Sequence, residues 1–153
     1  MHKTIFFCVV VSCLLVSNVF CGTEYHFEFY TRFICNRPGF EVKAQFFDTD
    51  EFYFNGDDQI TEQHVEKSLS GKMFFKEKGM LTGDEWLSDY FNVKMVLYHT
   101  CNPEGKEQQA DVHLEPLFDI PKSSYTKYYQ YHMVLDITDL EGEKTYRGHL
   151  AQN

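Results

Sequence analysis

Basic residues are scarce in this sequence, and after the first two dozen positions both cysteines and long apolar runs are scarcer still. Only 14 lysines and arginines stand against 23 aspartates and glutamates in 153 residues. A surface with that balance repels phosphate backbones, which argues against nucleic acid as a partner. No apolar stretch beyond the opening segment approaches the roughly 20 residues needed to cross a bilayer. No Asn-x-Ser/Thr sequon occurs, so N-glycosylation is not expected. Nor does any long segment show the 3.6-residue periodicity of an amphipathic helix.

The opening segment reads as an address. In MHKTIFFCVVVSCLLVSNVFCG, a basic start at Lys3 precedes an apolar core from Ile5 to Val16 and small residues near Cys21. This is the pattern of a secretory signal peptide over residues 1–21, cut after Cys21 or Gly22. Its apolar core is too short for a membrane anchor. The expected product is secreted and extracellular, a single domain over residues 22–153. Loss of Lys3 from the 14 basic residues leaves 13 against 23 acidic ones, a formal charge of −10.

Cleavage also removes Cys8, Cys13 and Cys21, leaving Cys35 and Cys101. Two cysteines in an oxidising compartment most simply form one bridge, with free thiols or an intermolecular bridge as the alternatives. An intramolecular bridge would close a loop of roughly 65 residues, worth roughly 4 kcal/mol in the chain-entropy model.

What remains is rich in period-two alternation. In EYHFEFYTRFIC, Tyr25, Phe27 and Phe29 fall on one face and His26, Glu28 and Tyr30 on the other. FEVKAQFFD repeats the pattern, and the NRPG turn between the two predicts a hairpin. Further strands are predicted near Gln59–Glu66, Gly71–Glu77, FNVKMVLYHTC, ADVHLEPLFDI and YYQYHMVLDITDL, with one short helical turn allowed near Asp84–Ser88. The tail after about Thr145 is polar and is expected to be loose. About seven strands separated by frequent turns predict an all-β, two-sheet antiparallel sandwich, with a barrel as the second choice.

Several segments match a known pattern in order. CNRPGFEVKAQFFDTD, DDQI, YHTCN, FDIPKSSYT and KYYQYHMVLDITDLEGEKT together resemble the nematode transthyretin-like family, over most of Thr31 to Thr145. The resemblance implies a secreted transthyretin-like β-sandwich and supports the pairing of Cys35 with Cys101. It also implies a binding role outside the cell, toward a protein receptor, a lipid headgroup or a small hydrophobic ligand, without enzymatic activity or cofactor. The chain departs from the family pattern by lacking a second cysteine pair. It also carries EKSLSGKMFF where the family has a T-D-x-x-G-x-F turn.

Four candidate sites follow. The acidic loop DTDEFYFNGDD offers Asp48, Asp50, Asp57 and Asp58 as oxygen ligands of the kind calcium takes, with Phe52 and Phe54 as exposed anchors. Phe52 and Phe54 break the EF-hand spacing, so a solvated binding loop is the simpler expectation. His99, Asp111 and His113 could meet across a hairpin to hold zinc, although a structural histidine beside the bridge is simpler. Part of the aromatic surplus (Phe27, Phe29, Phe33, Phe46, Phe52, Phe54, Phe74, Phe75, Tyr128, Tyr129, Tyr131) could form an exposed partner surface instead of filling the core. The tail segment YRGH resembles the terminal Y-R-G-S of hydroxyisourate hydrolases, placing Arg147 and His149 in an enzyme alternative in which Arg32 is a poor substitute for a missing histidine. A homo-oligomeric carrier of a small hydrophobic ligand is the other alternative.

Overall fold

Alternating side chains become strands wherever the alternation is sustained. The computed structural model describes residues 23–49, 56–83, 88–121 and 126–153, and its described residues contain strands but no helix. The strands are β1 (Thr23–Ile34), β2 (Phe40–Asp48), β3 (Asp58–Gln59), β4 (His64–Ser68), β5 (Lys72–Gly83) and β6 (Tyr90–Phe91). They continue with β7 (Val93–His99), β8 (Gln108–Glu115), β9 (Phe118–Asp119), β10 (Lys127–Asp136), β11 (Gly142–Arg147) and β12 (His149–Gln152). One sheet has the order β12-β10-β1-β5. The facing sheet has the order β11-β8-β7-β2-β3, with β4 continuing the edge beside β2, and β6 pairs with β9 at one end. The β-sandwich expected from the sequence is the architecture found.

Each long strand turns one face inward. Phe27, Phe29, Phe33, Phe75, Tyr129 and Tyr131 fill the inner face of the first sheet, while Phe46, Val42, Met95, Leu97, Val112 and Leu114 fill that of the second. Across the interface Phe29 stacks on Phe46 with ring centroids 3.8 Å apart and planes 1° from parallel. Most of the aromatic excess therefore goes into the core, where each ring removes a large apolar area from water. Thr31 shares this buried face, and its hydroxyl finds no hydrogen-bond partner among the described residues.

Three features differ from expectation. The segment around NRPG is no hairpin: β1 and β2 lie in opposite sheets, because β1 already has β5 on one side and β10 on the other. The pairing is also not purely antiparallel, since β1 runs parallel to β10 and β8 parallel to β11. Parallel neighbours need long crossover connections and so leave no local turn signature to read. Finally, the tail is not loose. It forms β11 on one sheet and β12 on the other, crossing between them at Gly148. The segment suggested for a helical turn lies largely outside the described residues, as does the signal peptide expected over residues 1–21.

Chain segments close both sides of the sandwich. On one side β4 and β5 pass from sheet to sheet, and the Met80 N–H donates to the Ile60 carbonyl at 3.2 Å. There Gly79 is pressed against Ile60, whose carbonyl oxygen would lie 2.0 Å from an added Cβ. On the other side Gly148 leaves no room either, since a Cβ would stand 2.5 Å from the Tyr131 ring.

One end is locked covalently. Cys35 follows β1 and Cys101 follows β7, and their disulfide, with Cα atoms 6.0 Å apart, joins the two sheets. Backbone bonds surround it: Cys35 N–H to the Gly71 carbonyl, Asp139 N–H to the Cys101 carbonyl and Ile137 N–H to the Ile34 carbonyl. With the cysteines 66 positions apart in sequence, the double variant Cys35→Ala/Cys101→Ala should lose about 4 kcal/mol in urea unfolding. A loss near zero would show that the bridge does little to restrict the unfolded chain. By contrast, Thr31→Val deletes an unpartnered buried hydroxyl at nearly constant shape and should raise stability by about 1 kcal/mol.

Candidate binding face

The outer face of the β12-β10-β1-β5 sheet gathers side chains that a purely structural sheet has no need to expose. Register sets them in rows. His26 lies between Met80 and Tyr128, Tyr30 between Lys76 and His132, and Arg32 between Phe74 and Val134. Phe74, Tyr128, Val134 and Met80 are 64%, 52%, 49% and 48% exposed, so half of the eight large apolar side chains exposed among the described residues share this one face.

Rings organise the middle rows. The Tyr30 and His132 rings stack at 4.6 Å and 4°, and His149 of β12 continues the line 6.4 Å from His132. Tyr128 stacks on His26 at 4.9 Å. Lys76 holds its ammonium 4.6 Å above the Tyr30 ring and donates to the Tyr30 hydroxyl at 3.0 Å. Glu28 accepts hydrogen bonds from Lys78 and from the Tyr30 hydroxyl. The Lys78 bond, then the Tyr30 bond, holds the Glu28 carboxyl at about 2. The charged side chains of the middle rows are thus engaged with one another.

The row at one end is not engaged in this way. Arg32 is exposed and makes no hydrogen bond or ion pair among the described residues. Beside it opens a cleft of about 460 Å³, bounded by Tyr30, Arg32, Phe74, His132, Met133, Val134 and the chain from Tyr146 to His149. Arg147 reaches it from β11 while its guanidinium donates twice to Glu115, at 2.9 and 3.2 Å.

The core places this far wall. Tyr131 points inward from β10, and its hydroxyl donates to the Glu115 carbonyl at 2.8 Å while accepting the Gly148 N–H at 2.7 Å. Burial pushes the Tyr131 hydroxyl up to about 12, so it stays a neutral donor at physiological pH. Tyr146 adds a second anchor, its hydroxyl accepting the Val134 N–H at 3.0 Å. A buried tyrosine therefore fixes the crossing that presents Arg147 and His149.

The residues singled out from sequence fare differently. His99 and His113 do not meet: β7–β8 register sets His99 opposite Gln108 and Lys94 opposite His113, and strand parity points His99 inward and His113 outward. The turn between the strands, not the hairpin pattern, sets that offset. Asp111 instead accepts a bond from Gln109 at 2.9 Å. Among the described residues, no three His, Cys, Asp or Glu side chains cluster closely enough to hold a metal ion. Asp48 is not a loop ligand but a buried cap, accepting the Asn92 N–H at 2.7 Å. Asp57 pairs with Lys94 at 2.7 Å, Asp58 is exposed in β3, and Asp50, Phe52 and Phe54 lie outside the described residues. Arg147 and His149 do share one cleft with His132. Tyr30 and His132 were missed as partners because only the parallel β1–β10 register brings them together.

His99 belongs to the locked end. Its Nε2–H donates to the Leu140 carbonyl at 2.7 Å, and its Nδ1 accepts the Cys101 N–H at 3.1 Å, so the ring is neutral with both nitrogens in use. Burial holds its pKa below the ordinary 6.5. A folded state that resists protonation binds fewer protons than the unfolded chain, so stability should fall as pH drops below about 6.5 and Glu28 should add a further loss between 4.5 and 2. Urea midpoints should therefore decline from pH 7.5 to 5.5, and His99→Gln should flatten that decline. An equal slope in both proteins would sink the assignment.

No family model matches the chain, and no curated protein matches it. Among solved structures, the chain is similar to two proteins provisionally described as cell adhesion proteins. One is from Parabacteroides distasonis ATCC 8503, at 9% identity and a TM-score of 0.35. The other is from Bacteroides ovatus ATCC 8483, at 7% identity and a TM-score of 0.23. Each match covers 86% of this chain but only 51% and 43% of the respective neighbour, so the chain spans about half the length of the structures it matches.

Proposed function

We propose that this chain is a secreted, transthyretin-like binding protein that works outside the cell without catalysis, through the outer face of its β12-β10-β1-β5 sheet. The observation that carries this reading is the concentration there of exposed Phe74, Met80, Tyr128 and Val134 beside Arg32, which has no polar partner among the described residues. Exposed apolar side chains rimmed by polar groups are the usual mark of an interaction surface. The sandwich and the Cys35–Cys101 bridge support the transthyretin-like and extracellular parts of the reading, since such bridges persist in oxidising compartments. The partner is a receptor, a lipid headgroup or a small hydrophobic ligand.

A second reading has one specific observation in its favour. Arg147 shares its cleft with His132 and His149, the placement a hydroxyisourate-hydrolase-like enzyme would require.

Expression of the full chain in secreting cells tests the first reading. The medium should yield a species beginning near Gly22, two hydrogens lighter than its reduced form by mass spectrometry. Retention inside the cells would remove the extracellular role. Flotation with phosphatidylserine vesicles, with and without calcium, decides whether lipid is the partner. Turnover of hydroxyisourate that is lost in Arg147→Gln would promote the enzyme reading over the binding one.

A further inference from the structure

From the cleft at the Arg32 end of the binding face we infer a built site for a small organic anion with an apolar or aromatic body. The inference rests on the reading of this face as a binding surface and names what it holds. Charge is the first argument. The chain carries 23 carboxylates, yet none of the ten residues lining the cleft is acidic, while two are arginines and two are histidines. An acidic protein that clears carboxylates from one cavity and faces it with guanidinium groups has created a local site for negative charge.

The availability of those charges is the second argument. Arg147 is held in place by Glu115, which fixes its guanidinium but spends part of it. Arg32 has no such partner among the described residues. It lies between Phe74 and Val134 in the sheet register, so its cross-strand neighbours are apolar and offer it no carboxylate. A guanidinium so placed can offer paired N–H donors to a carboxylate, sulfonate or phosphate monoester. Little competition from other protein groups stands in the way.

Shape supplies the third argument. A volume of about 460 Å³ lies within the range that accommodates small molecules. One wall is the Tyr30–His132 stack, planes 4° apart, whose mutually covered rings offer the cleft a rigid apolar edge. Phe74 stands at the rim, 6.4 Å from Tyr30 between ring centroids. An anionic head between Arg32 and Arg147 leaves the ligand body against the edge of the Tyr30–His132 stack and toward Phe74. A neutral ligand would use only half of the site, and a bare inorganic anion only the other half.

The test compares two fluorescent probes of nearly the same body on the full secreted protein. 8-Anilino-1-naphthalenesulfonate carries a sulfonate, and N-phenyl-1-naphthylamine lacks it. We expect saturable binding of one sulfonate probe per chain, and about tenfold or more weaker binding in Arg32→Gln, the loss typical of a charge-assisted hydrogen bond. The neutral probe should be weaker on the wild type and indifferent to Arg32→Gln. Phe74→Ser should weaken both. Arg32 and Phe74 are exposed, so both variants should keep the wild-type urea midpoint, which is measured alongside. Equal binding of both probes, unaffected by Arg32→Gln but lost in Phe74→Ser, would overturn the anion site and leave the apolar binding face standing. Absence of binding by either probe would overturn the anion site and the small-ligand version of the face together.

Discussion

The constraint on which everything else depends is the burial of one alternating face from each of two sheets against the other. Phe29 stacked on Phe46 is its centre, and around it the inward residues of β1, β10, β2 and β7 leave almost no exposed area. Because side chains alternate along a strand, filling the inside with large rings fixes at once which residues must point out. A one-residue slip of β1 would bring Glu28 and Arg32 into the core and push Phe27 and Phe29 into water, so the register is held by many kilocalories of apolar burial. The outer face is therefore a rigid platform rather than a set of mobile loops.

The two ends of the sandwich are finished by different means. At one end the covalent bridge ties β1 to β7, and a neutral His99 fastens the strand to the segment around Leu140. That joint stabilises the fold and gives it a sensitivity to acid. At the other side Tyr131, the Gly148 crossing and Glu115 bind β11 and β12 together. The second joint shapes the cleft as well. Its polar atoms are satisfied inside the protein, while Arg32 and part of Arg147 are left facing outward. Stability and binding capacity are thus built from neighbouring residues with separate duties.

The contrast between the two candidate sites is instructive. The acidic loop attracted attention as a cluster of oxygen ligands, but Asp48 turns inward to cap Asn92 and Asp57 is taken by Lys94. Local density of carboxylates gave no information on their direction. The cleft has the opposite character, since its residues come from β1, β5, β10 and the β11–β12 crossing and no short window of sequence holds them.

How much was legible follows from the same physics. Strand identity, the rows of Phe27, Phe29, Val42 and Phe46, the sandwich class and the availability of Cys35 and Cys101 for one bridge could be read from the sequence, because alternation and turn residues act over a few positions. The tail was misjudged because Glu143, Lys144 and Thr145 look solvated, and they are exposed even as β11 pairs through its backbone with β8. Side-chain polarity carries no record of such backbone pairing. The crossing from β1 to β2, the parallel alignment of β1 with β10 and the stacking of Tyr30 on His132 were decided only by the tertiary structure. The last two join residues about a hundred positions apart, and only the packing of two sheets selects that register among those the local sequence allows.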